Sequence, residues 1–133
     1  MKKAIFIVLG CTIGCIVFFI VGFISNALDP TPPELMDPDT PEEVVRRVQS
    51  TPLSKWIHTI FGLGLGSLCG CWLAQRCSGQ LASRSVAVLM SVWPIYTFWV
   101  VYPDVLWVPA GMLIAISMAY GLVHYINEER SSN

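Results

Sequence analysis

Charge is scarce in this sequence, and four long stretches have almost none. Only 13% of the 133 residues are Asp, Glu, Lys or Arg, whereas 54% are hydrophobic. A soluble domain carries about 25% charged residues. The interiors of the apolar runs 4–25, 54–75, 85–101 and 105–125 contain no charged side chain at all. Ion-coupled transporters and proton relays depend on an ionisable group at bilayer depth, so that class is disfavoured. Ser67 and Ser91 have no histidine at matching depth, which disfavours an intramembrane serine protease. A net charge of −1 disfavours nucleic acid as a partner, because phosphate neutralisation needs a basic surface.

Cysteine is absent from the polar stretch 26–53, where an oxidised extracellular scaffold would place it. Four of the five cysteines, Cys11, Cys15, Cys69 and Cys71, lie inside apolar runs, with Cys77 just beyond one. Cys69 and Cys71 point to nearly opposite sides of a helix. Cys11 and Cys15 share a face but have no histidine or carboxylate with them. All five therefore read as small packing residues, and neither a metal nor a cofactor is expected.

What the sequence has in abundance is length without polarity. Mean hydropathy is +0.61. At 1.5 Å per residue, about 20 apolar residues cross a bilayer core. Lys2 and Lys3 precede the run 4–25, which exceeds the 7–15 apolar residues of a signal peptide and reads as an uncleaved first span. Spans two to four follow at about 54–75, 85–101 and 105–125. Pro94 frees a carbonyl within the third span and should kink it, and Pro109 stands near the start of the fourth. Between spans three and four, Tyr102-Pro103-Asp104 reads as a tight turn. The stretch from Cys77 to Ser83 reads as a short polar loop, and Asn127 to Asn133 as a frayed tail. These readings give an all-α membrane protein: a single domain of four antiparallel transmembrane helices.

The loop 26–53 joins spans one and two. It opens with the rigid Asp29-Pro30-Thr31-Pro32-Pro33 segment. Thr40-Pro41-Glu42-Glu43 then carries the signature of a capping box with proline at the first helical position. A short amphipathic helix over 41–49 is expected, with Val44, Val45 and Val48 on one face.

Small residues recur every fourth position. The second span has Gly62, Gly66, Gly70 and Ala74; the first has Gly10 and Gly14; the fourth has Gly111, Ala115 and Ala119. Residues four apart share a helix face. Several glycines weaken a helix in water, but in lipid such rows let helix backbones approach closely. They predict packing seams, with the second span at the centre of an intramolecular bundle and a homodimer as the secondary reading.

Polar groups within the spans are few. His58 lies one turn into the second span, and Tyr96 and Thr97 follow Pro94 in the third. These three form the candidate polar site, although an interfacial histidine bonded to a carbonyl or water, a self-bonded threonine and a tyrosine reaching the interface are the preferred account of them. His124 is expected near the opposite membrane face. The basic residues Lys2, Lys3, Arg76, Arg84 and Arg130 fall on one side, and Arg46, Arg47 and Lys55 on the other. The positive-inside rule then puts both termini in the cytoplasm and the loop 26–53 outside.

Asp29, Pro30, Pro32, Pro33, Asp37 and Pro38, the row Gly62, Gly66, Gly70 and Ala74, and Arg76 together resemble a group of small bacterial four-span membrane proteins with no known activity. The resemblance implies an inner-membrane location and supplies no catalytic residue. The functional expectation is a non-enzymatic structural or accessory subunit in the lipid bilayer, with a second copy or another membrane protein as partner. Two alternatives remain: a small uncoupled transporter or channel near Pro94, Tyr96 and His58, and a lipid-acting enzyme using His58 with Asp37 or Asp39.

Overall fold

α1 (Lys2–Leu28) is a single helix of 27 residues with no acidic residue in its first turn and no basic residue in its last. Its apolar side chains run round the whole circumference, the pattern of a helix surrounded by apolar material. The computed structural model describes residues 2–30, 40–96 and 106–132. Among these every regular element is helical: α1, α2 (Pro41–Ser50), α3 (Leu53–Ser78), α4 (Gln80–Tyr96) and α5 (Trp107–Ser132). Three of them, α1, α3 and α5, are long and apolar enough to cross a membrane. α4 is described over 17 residues. Its expected continuation to 101 and the Tyr102-Pro103-Asp104 turn lie outside the described residues.

α2 starts at the expected capping box. The Thr40 N–H donates to Glu43 Oε2 and the Glu43 N–H donates to Thr40 Oγ1, each at 3.3 Å. At its end the Thr51 hydroxyl donates to the Arg47 carbonyl at 2.7 Å. Pro52, extended at φ −59° and ψ 147°, separates α2 from α3.

Between α3 and α4 the structure corrects the sequence reading. The stretch from Cys77 to Ser83 is not a loop: α3 continues to Ser78 and α4 begins at Gln80. The reversal is made by Gly79 alone, at φ 83°, a conformation that disfavours any residue with a Cβ. Its N–H donates to Gln75 O at 2.9 Å, and its carbonyl accepts from the N–H groups of Ala82 and Ser83 at 3.1 and 3.3 Å. One residue thus closes one helix and opens the next, and the third apolar helix starts five residues earlier than expected. The expected frayed tail is also helical, to Ser132. Contacts one turn apart hold it: Asn127 Nδ2 donates to Val123 O at 2.7 Å and the Tyr125 hydroxyl to Glu129 at 3.2 Å.

α3 is the hub, packing against α1, α4 and α5, while α4 also touches α1 and α5. α1 and α5 therefore flank the α3–α4 pair. A methyl placed on Gly14 would lie 3.0 Å from the Gly66 carbonyl oxygen, and one on Gly10 would lie 2.9 Å from that of Gly70. Further along, Gly62 faces Val21. α1 and α3 are thus antiparallel and meet backbone to backbone. α5 runs parallel to α3: Gly111 faces the Ile60 side chain, and Gly64 faces the Ala115 methyl at 3.1 Å from a would-be Cβ. The partner of the Ala115 face is therefore Gly64, which lies off the row of Gly62, Gly66, Gly70 and Ala74. Ala74 is fully buried, and Ala119 nearly so.

The core holds Leu63, Cys71, Val86, Met90, Val108, Met112, Ile116 and Val123, contributed by α3, α4 and α5. The exterior is equally apolar. Phe23 is 77% exposed, Phe19 and Met118 70%, and Val8 and Leu81 65%. Apolar surface spread over the sides of every long helix far exceeds the isolated patches of a water-soluble monomer. Hydroxyls on these helices bond to their own backbone: Thr12 to Val8 O, Ser91 to Ala87 O and Ser117 to Leu113 O, at 2.8–2.9 Å. In lipid that is the available partner. The fold is that of a membrane protein in general terms.

The glycine contacts predict an asymmetric tolerance. Gly66→Leu and Gly70→Leu drive a side chain into the backbone of α1, and each is expected to destabilise the bundle by about 1–3 kcal/mol or more. Gly121→Ala, where a Cβ meets nothing within 4 Å, should change stability by less than about 0.5 kcal/mol. Denaturation of the three variants in one neutral detergent would measure this, and equal tolerance at Gly66 and Gly121 would contradict the packing.

Candidate functional site

The α1–α3 register that sets glycine against glycine also decides what meets at the ends of the two helices. Towards the end of α1 it brings Ser25 beside His58. Ser25 Oγ and His58 Nδ1 are 3.0 Å apart. Ser25 is 8% exposed, and His58 is half-buried. A crevice of about 160 Å³ opens here, lined by Phe18, Gly22, Ser25 and Asn26 of α1 and by Lys55, His58 and Thr59 of α3. The Thr59 hydroxyl bonds its own helix at Lys55 O, 2.8 Å away.

A serine oxygen at hydrogen-bonding distance from an imidazole is the first requirement of a nucleophile and base pair. The second is a group that orients the imidazole from its other nitrogen. Among the described residues no carboxylate lines this crevice. Asp37 and Asp39, the expected carboxylate partners of a lipid-acting enzyme, lie outside the described residues. Over the described residues the arrangement is chemically a hydrogen-bonded polar crevice whose lining includes Lys55.

Tyr96 does not line this crevice. It is 51% exposed and lies near Trp93, their ring centroids 6.4 Å apart. Thr97 lies outside the described residues. Pro94 is buried within α4.

At the opposite end of the bundle His124 has company that the sequence reading missed. Its Nε2 is hydrogen-bonded to Gln80 Nε2 at the start of α4, and its Nδ1 lies 3.3 Å from Glu128 Oε2. The Tyr120 ring meets the imidazole edge-on. The His124–Glu128 spacing of four was a readable signal, since such residues share a helix face. Gln80 was not readable while 77–83 passed for a loop. Likewise Ser25 gave no sign of its role until the α1–α3 register was known. The two histidines sit at opposite ends, so they do not form one site.

Two further features lie elsewhere in the bundle. An apolar groove of about 840 Å³ runs between α3 and α5, lined by residues such as Ile60, Phe61, Gly64, Ala115, Met118 and Tyr125. Where α3 meets α4, the Cys71 thiol donates to the Ser83 carbonyl at 3.5 Å. The Ser67 and Ser83 hydroxyls nearby are fully buried and find no hydrogen-bond partner among the described residues. Cys11 and Cys69 are half-buried, and Cys15 and Cys77 are exposed. Among the described residues no three His, Cys, Asp or Glu side chains gather as metal ligands would.

Ser25→Ala removes the partner of His58 and Gln80→Ala the partner of His124, each expected to cost about 1 kcal/mol. Because the two contacts are at opposite ends, the double variant should lose the sum to within about 0.5 kcal/mol; a large coupling in a double-mutant cycle would refute their independence. Ser67→Ala is expected to be neutral or stabilising by up to about 1 kcal/mol, because it deletes a buried hydroxyl that has no partner. A clear loss of stability in the same unfolding assay would show that the hydroxyl is satisfied. No family model, no curated protein and no solved structure matches this chain, so no activity comes to it from a relative.

Proposed function

We propose that the chain is a non-enzymatic integral membrane protein, a structural or accessory subunit held together by small-residue helix seams. The observation that carries this reading is the interior. Where a conduit would need a polar lining, α3, α4 and α5 enclose Leu63, Val86, Met90, Met112, Ile116 and Val123 in contact with one another. The side of the bundle bearing α1 is closed by glycine against glycine. A packed interior of this kind suits a scaffold that presents its outer faces to lipid and to another membrane protein or a second copy. It offers little to the alternative of a small uncoupled transporter or channel.

In this reading α4 and its continuation form a fourth span, and the membrane is the bacterial cytoplasmic membrane. The end of the bundle bearing Lys3, Arg76 and Arg84 faces the cytoplasm with both termini, following the excess of basic residues there. α2 lies on the other side.

Two measurements test the proposal. Reporter fusions after residue 35 should read as extracytoplasmic and fusions after residue 133 as cytoplasmic; the reverse pattern overturns the orientation. Purified chain reconstituted in liposomes should release small ions and neutral solutes no faster than empty vesicles do. Selective flux that is lost on Met90→Trp, a substitution that would obstruct the bundle interior, overturns the scaffold reading in favour of a conduit.

A further inference from the structure

α2 ends two residues before the start of a long apolar helix, and that position limits what it can rest on. Thr51 and Pro52 alone separate Ser50 from Leu53. Three residue steps span at most about 11 Å, so the last turn of α2 is held near the first turn of α3. The connector is tied at both ends. The Ser50 and Thr51 hydroxyls donate to the Arg47 carbonyl at 3.1 and 2.7 Å, and the Lys55 N–H donates to the Pro52 carbonyl at 3.1 Å.

α3 has an apolar exterior from its first residue. Leu53, Ile57 and Phe61, spaced four apart on one face, are 63%, 53% and 61% exposed. In a bilayer such a stripe faces lipid, and this one begins at the connector. Trp56, in the same turn as Leu53, is a residue type enriched at headgroup level. The lipid-facing surface of α3 therefore continues directly to α2, and the level at which they meet is the boundary between headgroups and acyl chains.

The sequence of α2 suits that boundary. Pro41, Val44, Val45 and Val48 stand at i, i+3, i+4 and i+7, a single stripe along the helix. Of the polar positions, Glu42, Glu43, Arg46, Gln49 and Ser50 are exposed and Arg47 is half-buried. Ten residues are too few to hold a helix in water without a partner surface, and over the described residues α2 belongs to none of the closely packed helix pairs. A helix with a polar face, an apolar stripe and low overall hydrophobicity finds that surface at a membrane, where the stripe enters the headgroup–acyl boundary. The two glutamates and two arginines of α2 cancel in charge, so apolar burial supplies the attraction, with no need for anionic lipid.

We propose that α2 docks on the bilayer surface, its axis in the membrane plane and its stripe of positions 41, 44, 45 and 48 in the headgroup–acyl boundary of the leaflet where α3 begins. The proposal rests on the membrane reading of the fold. It is independent of whether the bundle is a scaffold or a conduit, and of which side of the membrane α2 occupies.

The valines of the native chain report on this directly. The full chain, with valine methyls labelled with carbon-13, is placed in phosphatidylcholine nanodiscs, and methyl relaxation is measured by nuclear magnetic resonance. One probe is a lipid with a doxyl group near the carbonyl end of its acyl chain; the other is a water-soluble gadolinium chelate. Val88 and Val92, 61% and 57% exposed on α4, and the fully buried Val86 are the internal references. Val44, Val45 and Val48 are expected to relax faster with the doxyl lipid than Val86 does, and to respond more to that lipid than to the chelate. Adding phosphatidylglycerol to the discs should leave the pattern unchanged. Val45→Asp should abolish most of the lipid response at Val44 and Val48, whereas Arg46→Gln, the same change in net charge on the polar face, should preserve it. A stronger response to the chelate would place the stripe in water and overturn the proposal. Protection from both probes, as at Val86, would show the stripe covered by protein and overturn it equally, as would a lipid response that requires phosphatidylglycerol or is lost equally in both variants. Absence of a doxyl response at Val88 and Val92 as well would overturn the membrane reading, and the proposal with it.

Discussion

The approach of the α1 and α3 backbones is the constraint on which the rest of the bundle depends. A methyl at Gly10 or Gly14 would already press on a carbonyl of α3. Side chains stand aside at this contact, leaving backbone against backbone. In lipid the helices gain no hydrophobic advantage from meeting, so association relies on contact density. Dispersion is weak per atom pair and falls steeply with any gap. Two pairs of glycines one turn apart give a continuous line of such contacts and admit one register. Shift α1 by a residue and Gly14 leaves Gly66.

That register then distributes the other groups. It leaves room for Val86 and Met90 of α4 to fill the angle between α1 and α3, Val86 against Gly10 and Gly70 and Met90 against Gly14. It places Ser25 on His58 at one end. At the other end the one-residue reversal at Gly79 holds α4 against α3 so closely that the Cys71 thiol reaches the Ser83 carbonyl. α5 meets the hub in a different way from α1. It meets α3 through one small pair, Gly64 and Ala115, and through Ile60 lying over Gly111. The same Ile60, Gly64 and Ala115 line the apolar groove between the two parallel helices.

Much of this architecture is legible in the sequence because it rests on local or periodic signals. The three long apolar helices are stated by composition and length. The α2 capping box is stated by Thr40 and Glu43, whose hydrogen bonds need three residues and no tertiary contact. The Cys77–Ser83 reversal is misread for a physical reason. Ser78, Gln80 and Ser83 are polar, and polarity resembles a loop, but Gln80, Leu81 and Ala82 are sound helix formers, and a single glycine at positive φ suffices to turn the chain. The tail is misread similarly. Its charges suggest solvent and fraying, yet the spacing of Tyr125 to Glu129 and of His124 to Glu128 ties successive turns together. The pairings Ser25–His58 and Gln80–His124 were beyond reach, because each needs the relative register of two helices that no single-helix periodicity contains.

The glycines show where the limit of such reading lies. By spacing, Gly10, Gly14 and the row in α3 belong together, and Gly22, Gly64 and Gly121 appear as stray members of the same population. In the bundle these three have distinct physical positions. Gly64 makes the α5 contact that the regular row was expected to make. Gly121 lines the α3–α5 groove, and Gly22 lines the polar crevice, each with open space where a Cβ would stand. A missing side chain can bring two backbones together or keep a surface open, and the sequence writes both with the same letter. The difference lies in what stands opposite: a carbonyl of the neighbouring helix at Gly14, and nothing at Gly22. Small-residue periodicity therefore locates helix seams when the rows are mutually consistent, but a glycine outside the rows can mark either another contact, as Gly64 does, or open surface, as Gly22 and Gly121 do.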